Sequence, residues 1–181
     1  RIAVLALSHG EGFDAVFRSL GAEVMDLGEV VKPPAAQIAA AADALTIPDV
    51  IVLANHKNVV MAARLAASMA RCTLHVVATE SLPQGVAALL AFDADERAVD
   101  NVAAMSESAL GVRTVEVTIA AASRTIEGIA VTTGQAIALV EGRLVAAHAN
   151  DAEALVEGLR IAGAEAGGLV TLYSGEGVSR E

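Results

Sequence analysis

The stretch that decides the fold is Ile2-Ala3-Val4-Leu5-Ala6-Leu7, followed directly by Ser8-His9-Gly10-Glu11-Gly12. A short, unbroken apolar run of this kind is typical of a strand that is buried on both faces. The glycine-rich turn after it leads into a predicted helix over residues 11–20, which Gly21 ends. Strand, turn and helix together predict the first half of a βαβ unit.

The same rhythm continues for about a hundred residues. Apolar runs predict further strands at residues 23–27, 50–54 and 74–78, with Ala-rich helices at 35–45 and 59–70 between them. Strands that alternate with helices predict a parallel βαβ sheet with helices on both faces. The sequence therefore predicts an α/β domain over residues 1–111, which closes with a helix over 96–110 that Asp95 caps.

The periodicity changes after Gly111. Residues 112–119 alternate between apolar and polar, and three turns follow, at Glu127-Gly128, Thr133-Gly134 and Glu141-Gly142. Alternation and closely spaced glycine turns are typical of antiparallel hairpins. The second predicted segment is therefore a small antiparallel β insert over residues 112–148.

The last segment, residues 149–181, repeats the opening pattern. Asn150 or Asp151 caps a predicted helix over 152–166, and a predicted strand over 169–173 leads to Ser174-Gly175-Glu176-Gly177. Only four residues follow this second Gly-Glu-Gly turn, and the chain begins with Arg1. We therefore expect a fragment of a longer protein that includes the start of a second, truncated α/β unit.

Composition narrows the classes of function. Hydrophobic residues make up 55% of the chain and aromatic residues only 2%, so the core consists of small and branched aliphatic side chains. A net charge of −10 should repel phosphate backbones, which argues against nucleic-acid binding. No apolar run is long enough for membrane insertion. A single cysteine fits a reducing cytoplasm.

Ligands of open α/β sheets bind at the carboxyl ends of the strands, so the loops after the strands are the candidate sites. Ser8-His9-Gly10-Glu11-Gly12 leads into a helix N-terminus, which favours an anion. The carboxylate of Glu11 occupies that positive end and would repel a phosphate. The turn is therefore more typical of an architectural element than of a phosphate loop.

A second candidate loop is Asn55-His56-Lys57-Asn58, which follows the most apolar predicted strand. Lys57 is suited to contact an anion and His56 can titrate near neutral pH. Four polar residues at this edge predict a contact with a ligand or partner. The alternative is that Asn55 caps the next helix and the others are solvated. Gln84 should lie beside this loop if the two strands are neighbours.

Several segments, taken in order, resemble one known protein family. They are Gly10-Glu11-Gly12-Phe13, Phe17-Arg18-Ser19-Leu20-Gly21, Val50-Ile51-Val52-Leu53, Asn55-His56-Lys57-Asn58, Pro83-Gln84-Gly85, Ala88-Leu89-Leu90-Ala91-Phe92-Asp93, Val112-Arg113-Thr114 and Tyr173-Ser174-Gly175-Glu176-Gly177-Val178-Ser179. Together they resemble the C-terminal region of the large chain of bacterial fatty-acid kinase. That family is dihydroxyacetone-kinase-like, and this region of it has a DegV-like α/β fold.

The resemblance implies a docking and regulatory role without catalytic residues or a metal in this fragment. The implied partner is a DegV-type fatty-acid-binding protein, and a homodimer is a further option. ATP and Mg²⁺ would belong to a separate kinase domain that forms the acyl phosphate. Two loops depart from the family pattern: Val31-Lys32-Pro33-Pro34-Ala35 replaces a polar Asn-Pro-Ser/Thr loop, and His56 replaces an asparagine.

Two other functions stay open on the sequence. One is a stand-alone fatty-acid or small-molecule binding module of DegV-like fold. The other is a phosphotransfer or phosphatase enzyme that uses His56 and Lys57 on a carboxylate or phosphate.

Overall fold

The computed structural model describes residues 1–30, 32–164, 168–175 and 178. The chain divides into two compact units, residues 1–112 and 113–181.

The first unit alternates strands and helices. Its elements are β1 (Ile2–Ser8), α1 (Glu11–Ser19), β2 (Glu23–Asp26), α2 (Ala35–Ala44), β3 (Asp49–Leu53), α3 (Val60–Ala67), β4 (Thr73–Val77), α4 (Leu82–Leu90) and α5 (Ala98–Leu110). The four strands form one parallel sheet in the order β2-β1-β3-β4.

Helices cover both faces of this sheet. Successive strand residues point to opposite sides, so each strand contributes side chains to both faces. Leu5 and Leu7 pack with α2 and α3 in one apolar cluster. Val4 and Ala6 pack with α1, α4 and α5 in the other. The predicted fold class is confirmed: a parallel sheet with helices on both faces comes first, and small antiparallel sheets follow.

One carboxylate ties α2 to the start of β4. Asp43 accepts hydrogen bonds from the backbone N–H groups of Arg71 (2.8 Å) and Cys72 (3.0 Å) and from Arg71 Nε (3.2 Å). The hydrogen bond from the Cys72 N–H is the main cause of the lowered pKa of the Asp43 carboxyl. Burial is the main cause that raises the pKa of the Cys72 thiol, and Asp43 adds to it. The sole cysteine therefore stays a protonated thiol at neutral pH.

The second unit holds the antiparallel strands. They are β5 (Val115–Ile119), β6 (Arg124–Ile126), β7 (Ile129–Val131), β8 (Ala136–Val140) and β9 (Arg143–His148), and α6 (Asp151–Ile161) follows them. One sheet has the order β5-β8-β9, and β6 and β7 form a separate hairpin. Glu127-Gly128 and Glu141-Gly142 form the β6–β7 and β8–β9 hairpin turns, as predicted, with positive φ. The third predicted hairpin turn, Thr133-Gly134, lies between β7 and β8, which belong to different sheets.

Helix α6 packs on the three-stranded sheet rather than opening a separate unit. Ala154 is buried with Ala136, Ala138 and Ala146. A Cβ added at Gly158 would lie 3.2 Å from the Cβ of Ala138. Small side chains let the helix lie this close to the strands. The second unit thus holds α6 together with β5–β9 and begins at Arg113, whereas the sequence predicted a boundary at residue 148 and a β segment from residue 112.

Several local predictions differ from the structure. Helix α5 begins at Ala98 after Arg97, so Asp95 is not its N-cap; the N–H of Asp95 instead donates to Asp93 Oδ1. The helix over 152–166 begins one residue earlier and ends at Ile161, and Asn150 is its cap. Residues 168–175 form neither helix nor strand and are exposed, so the strand predicted over 169–173 is absent. Glu176 and Gly177 lie outside the described residues.

Candidate functional site

The sheet order creates a topological switch point at the carboxyl ends of β1 and β3. These strands are neighbours, but β1 leads through α1 to β2 on one side and β3 leads through α3 to β4 on the other. The two helices lie on opposite faces of the sheet. Such a topological switch point is where ligands of open α/β sheets bind. The two loops selected from the sequence therefore lie at adjacent strand ends.

Asn55 is the centre of this edge. It is only 3% exposed and has a φ of +58°. Its Nδ2 donates to the carbonyl of Leu7 at 2.9 Å. Its Oδ1 accepts from the Thr79 hydroxyl at 2.8 Å, and its backbone N–H donates to the same hydroxyl oxygen at 2.9 Å. One side chain therefore connects the end of β1, the end of β3 and the loop after β4, and it acts as a positioning residue.

Gly85 lets α4 approach Asn55. A Cβ built at this position would lie 2.6 Å from Asn55 Cγ and closer still to its Oδ1. Real Cβ atoms essentially never approach another heavy atom this closely. Asn55 and Gly85 therefore form one packing unit, called here the Asn55–Gly85 contact.

The other three residues of the second loop reach the surface to different degrees. His56 is half-buried, and its Nδ1 accepts a hydrogen bond from the Asn58 N–H at 3.1 Å. Because Nδ1 is the acceptor, the neutral ring carries its proton on Nε2. Lys57 and Asn58 are exposed, and their side chains have no ion pair or hydrogen bond with the residues that the structure describes. The loop thus presents an ammonium group and an amide group next to Asn55, whose side chain is held in place.

Gln84 lies one residue from the Asn55–Gly85 contact but caps its own helix. Its Oε1 accepts from the N–H of Glu80 at 2.8 Å, and its N–H donates to the Ser81 hydroxyl at 3.3 Å. Ser81 is the N-cap of α4. The neighbouring Gly85 meets Asn55, whereas the amide oxygen of Gln84 is used in capping.

In the first loop, the backbone conformation of a glycine begins the helix. Gly10 is the N-cap of α1 with a φ of +85°, and no side chain caps this helix. Its carbonyl accepts from the N–H of Asp14 at 3.1 Å. Glu11 and Gly12 are exposed in the first turn, so the carboxylate of Glu11 lies at the positive helix end.

Two buried polar atoms beside this loop lack partners. The hydroxyl of Ser8 and the Oδ1 of Asp14 have no hydrogen bond with any residue that the structure describes. Ser8 is fully buried and Asp14 is 5% exposed. The other oxygen of Asp14 lies 3.6 Å from Arg18 Nη2. Buried polar atoms are nearly always paired with protein or water, so each of these two atoms has the capacity for a further polar partner.

The two side chains point to the same side of the sheet. Ser8 alternates with Ala6 along β1 and so faces α1 and α4. Asp14 lies one helical turn before Phe17, which is buried in the same cluster. Both therefore lie on the α1 side of the sheet, near the N-terminus of that helix.

Sequence reasoning missed Asp14 and Thr79 as parts of this edge, and it did not predict the contact of Gly85 with Asn55. Asp14 carried a signal, because its spacing from Phe17 places it on the apolar face of α1. Thr79 and Gly85 carried none, since their role depends on contacts with Asn55. Among the residues that the structure describes, no three His, Cys, Asp or Glu side chains are grouped so that they could hold a metal ion.

The fold and this strand-end edge define an α/β domain of the DegV-like type. A solved DegV family protein from Corynebacterium glutamicum superposes with a TM-score of 0.62 over 89% of this chain and 73% of its own chain. The two sequences are 15% identical, so the likeness concerns the fold. In the described part of the chain, no helix is both long and apolar enough to cross a membrane.

The chain belongs to the FakA-like C-terminal family of fatty acid kinase, whose model matches residues 3–181. This confirms the resemblance found in the sequence. An uncharacterized protein of Staphylococcus saprophyticus is 34% identical over 87% of this chain, and one of Staphylococcus aureus is 29% identical over 96%. The chain spans 28% and 32% of the lengths of these relatives.

Proposed function

We propose that this chain is the docking and regulatory region of a fatty-acid-kinase-like protein and that it engages a DegV-type fatty-acid-binding partner. The observation that carries the docking role is the second loop, where Lys57 and Asn58 are exposed above the immobilised Asn55. A fixed loop with an ammonium and an amide group can hold a carboxylate or a backbone carbonyl of a partner. Membership of the family supports the fatty-acid-kinase context.

Catalysis is assigned in this proposal to another part of the longer protein. ATP and Mg²⁺ would bind in a separate kinase domain, and this region would hold the acyl-carrying partner so that its carboxylate can be phosphorylated. In this proposal His56 stabilises the turn of the loop, since its Nδ1 accepts a hydrogen bond from the Asn58 N–H.

Substitution of the loop tests the docking role. We expect Lys57→Ala and Asn58→Ala, each in the full-length protein, to weaken the complex with the DegV-type protein of the same organism by about five- to tenfold. The reason is the loss of exposed donors, with no change in packing. Isothermal titration with the palmitate-loaded partner measures the effect.

Arg124→Ala is the matched control, because Arg124 is an exposed cation on β6 of the other unit. Its affinity should equal that of the wild type. Unchanged affinity in both loop variants would remove this loop from the interface, and absence of binding by the wild-type protein would overturn the docking role itself.

A second candidate function is a small-molecule binding module, which the unpaired Ser8 hydroxyl and Asp14 Oδ1 favour. Because the carboxylate oxygen accepts hydrogen bonds, the ligand must supply a donor such as a hydroxyl group. Native mass spectrometry of the freshly purified full-length protein should then show an added mass that Ser8→Ala removes. A single unliganded species in both samples would contradict this function.

A further inference from the structure

The outer face of α3 carries an apolar stripe. Met61 and Leu65 lie on this face, Met69 follows in the turn after the helix, and the three side chains are 70%, 57% and 51% exposed. The opposite face, with Val60, Ala63 and Ala66, is buried against the sheet. Single exposed apolar residues are common, but two on one helical line with a third in the turn that follows can form a contact surface. Methionine side chains adapt readily to a partner's shape.

Basic residues lie beside this stripe. Lys57 precedes α3 by less than one turn, and Arg64 is exposed within it. Neither side chain has an ion pair with the residues that the structure describes. From Val50 to Thr79 the sequence has three basic residues and no Asp or Glu, although the whole chain carries a net charge of −10.

The carboxylates of the surrounding face are already engaged. Between Lys32 and Thr79 only Asp43 and Asp49 are acidic. Asp43 accepts from Arg71, and Asp49 Oδ1 lies 3.0 Å from His75 Nε2. The α2 and α3 side of the first unit is therefore locally positive in an acidic protein.

From this charge pattern and the exposed stripe, we propose that the outer face of α3 is a docking surface for an acidic, partly apolar protein surface. The inference rests on the proposed function, because it assigns this surface to the DegV-type partner and extends the contact from the loop along α3. Screening confines charge interactions to about 8 Å at physiological ionic strength. Lys57 and Arg64 therefore set the local charge of this face, where Asp43 and Asp49 are the two carboxylates between residues 32 and 79.

A protein fits this surface better than an anionic membrane does. The apolar stripe is only three residues long, and the net charge of the whole chain would repel an extended anionic bilayer. A protein partner can confine its contact to the stripe and its two flanking cations.

A charge reversal and an apolar-to-polar substitution on α3 test the proposal. In the full-length protein, Arg64→Glu and Leu65→Ser should each weaken the complex with the palmitate-loaded DegV-type protein about tenfold or more. Higher salt should weaken wild-type binding more than binding by Arg64→Glu. The matched controls are Arg124→Glu on β6 and Leu110→Ser at the end of α5, where the side chain is 83% exposed. Both should bind as the wild type does.

The outcomes separate this inference from the function on which it rests. If Lys57→Ala weakens the complex and Arg64→Glu and Leu65→Ser do not, the contact ends at the loop and the α3 surface is overturned alone. If the wild-type protein does not bind the partner, both are overturned. Binding of wild type, but not of Arg64→Glu, to phosphatidylglycerol vesicles with unchanged partner affinity would assign the surface to a membrane and overturn the proposal.

Discussion

Replacement of Gly85 by alanine should lower the free energy of unfolding of the first unit by about 3–5 kcal/mol. The new Cβ would lie 2.6 Å from Asn55 Cγ, and Asn55 cannot move aside without breaking its bonds to Leu7 and Thr79. The cost combines overpacking with the loss of buried hydrogen bonds. Because the chain has no tryptophan, urea unfolding followed by far-ultraviolet circular dichroism is the suitable measurement.

Two comparisons establish the cause of that loss. Gly111→Ala makes the same chemical change where φ is −72° and the nearest atom is 3.4 Å away, so it should alter stability by less than about 1 kcal/mol. In an Asn55→Gly background the obstructing side chain is gone, and Gly85→Ala should cost far less than in the wild type. An equal cost in both backgrounds would show that the Asn55–Gly85 contact is not responsible.

Asn55→Ala should destabilise the same unit by about 2–4 kcal/mol. The substitution leaves the buried Leu7 carbonyl without its donor and the Thr79 hydroxyl without its acceptor. It also places alanine at a φ of +58°, a region that asparagine tolerates better. Thermal unfolding should show the loss as a fall of roughly 10 °C in Tm.

Asn58→Ala is the control for this prediction, since it makes the same change three residues later at an exposed side chain. Its stability should stay within about 0.5 kcal/mol of the wild type. If the two variants were equally stable, the hydrogen bonds of Asn55 would contribute little, and the edge would depend on apolar packing alone.

The helices and strands of the first unit could be predicted from the sequence, but the order of the strands in its sheet could not. Apolar runs such as Val50-Ile51-Val52-Leu53 identify strands by composition, because strands buried on both faces tolerate little else. No local sequence pattern indicates that β1 lies between β2 and β3. The strand predicted over 169–173 failed for a related reason, since an apolar run forms a strand only where a neighbouring strand completes its hydrogen bonds.

The strand-end edge could be located from the sequence, but the division of roles among its residues could not. Loops after strands can be placed at one edge by topology. A polar residue such as Asn55, however, is interpreted as solvated or capping until its partners are known, and these lie 48 and 24 residues away along the chain. The helix cap assigned to Asp95 was wrong because α5 begins after Arg97 without any side-chain cap, so a search for a capping side chain could not locate its start.

The bonds of Asn55 have a consequence for the thermodynamics of association. When a loop becomes ordered only on binding, its lost conformational entropy reduces the affinity. Here Asn55 already holds the start of the loop against three strand ends, so we expect Lys57 and Asn58 to keep nearly the same backbone geometry on contact. A partner that meets this edge would therefore encounter a preorganised surface, and its association should proceed as rigid-body docking rather than as coupled folding and binding.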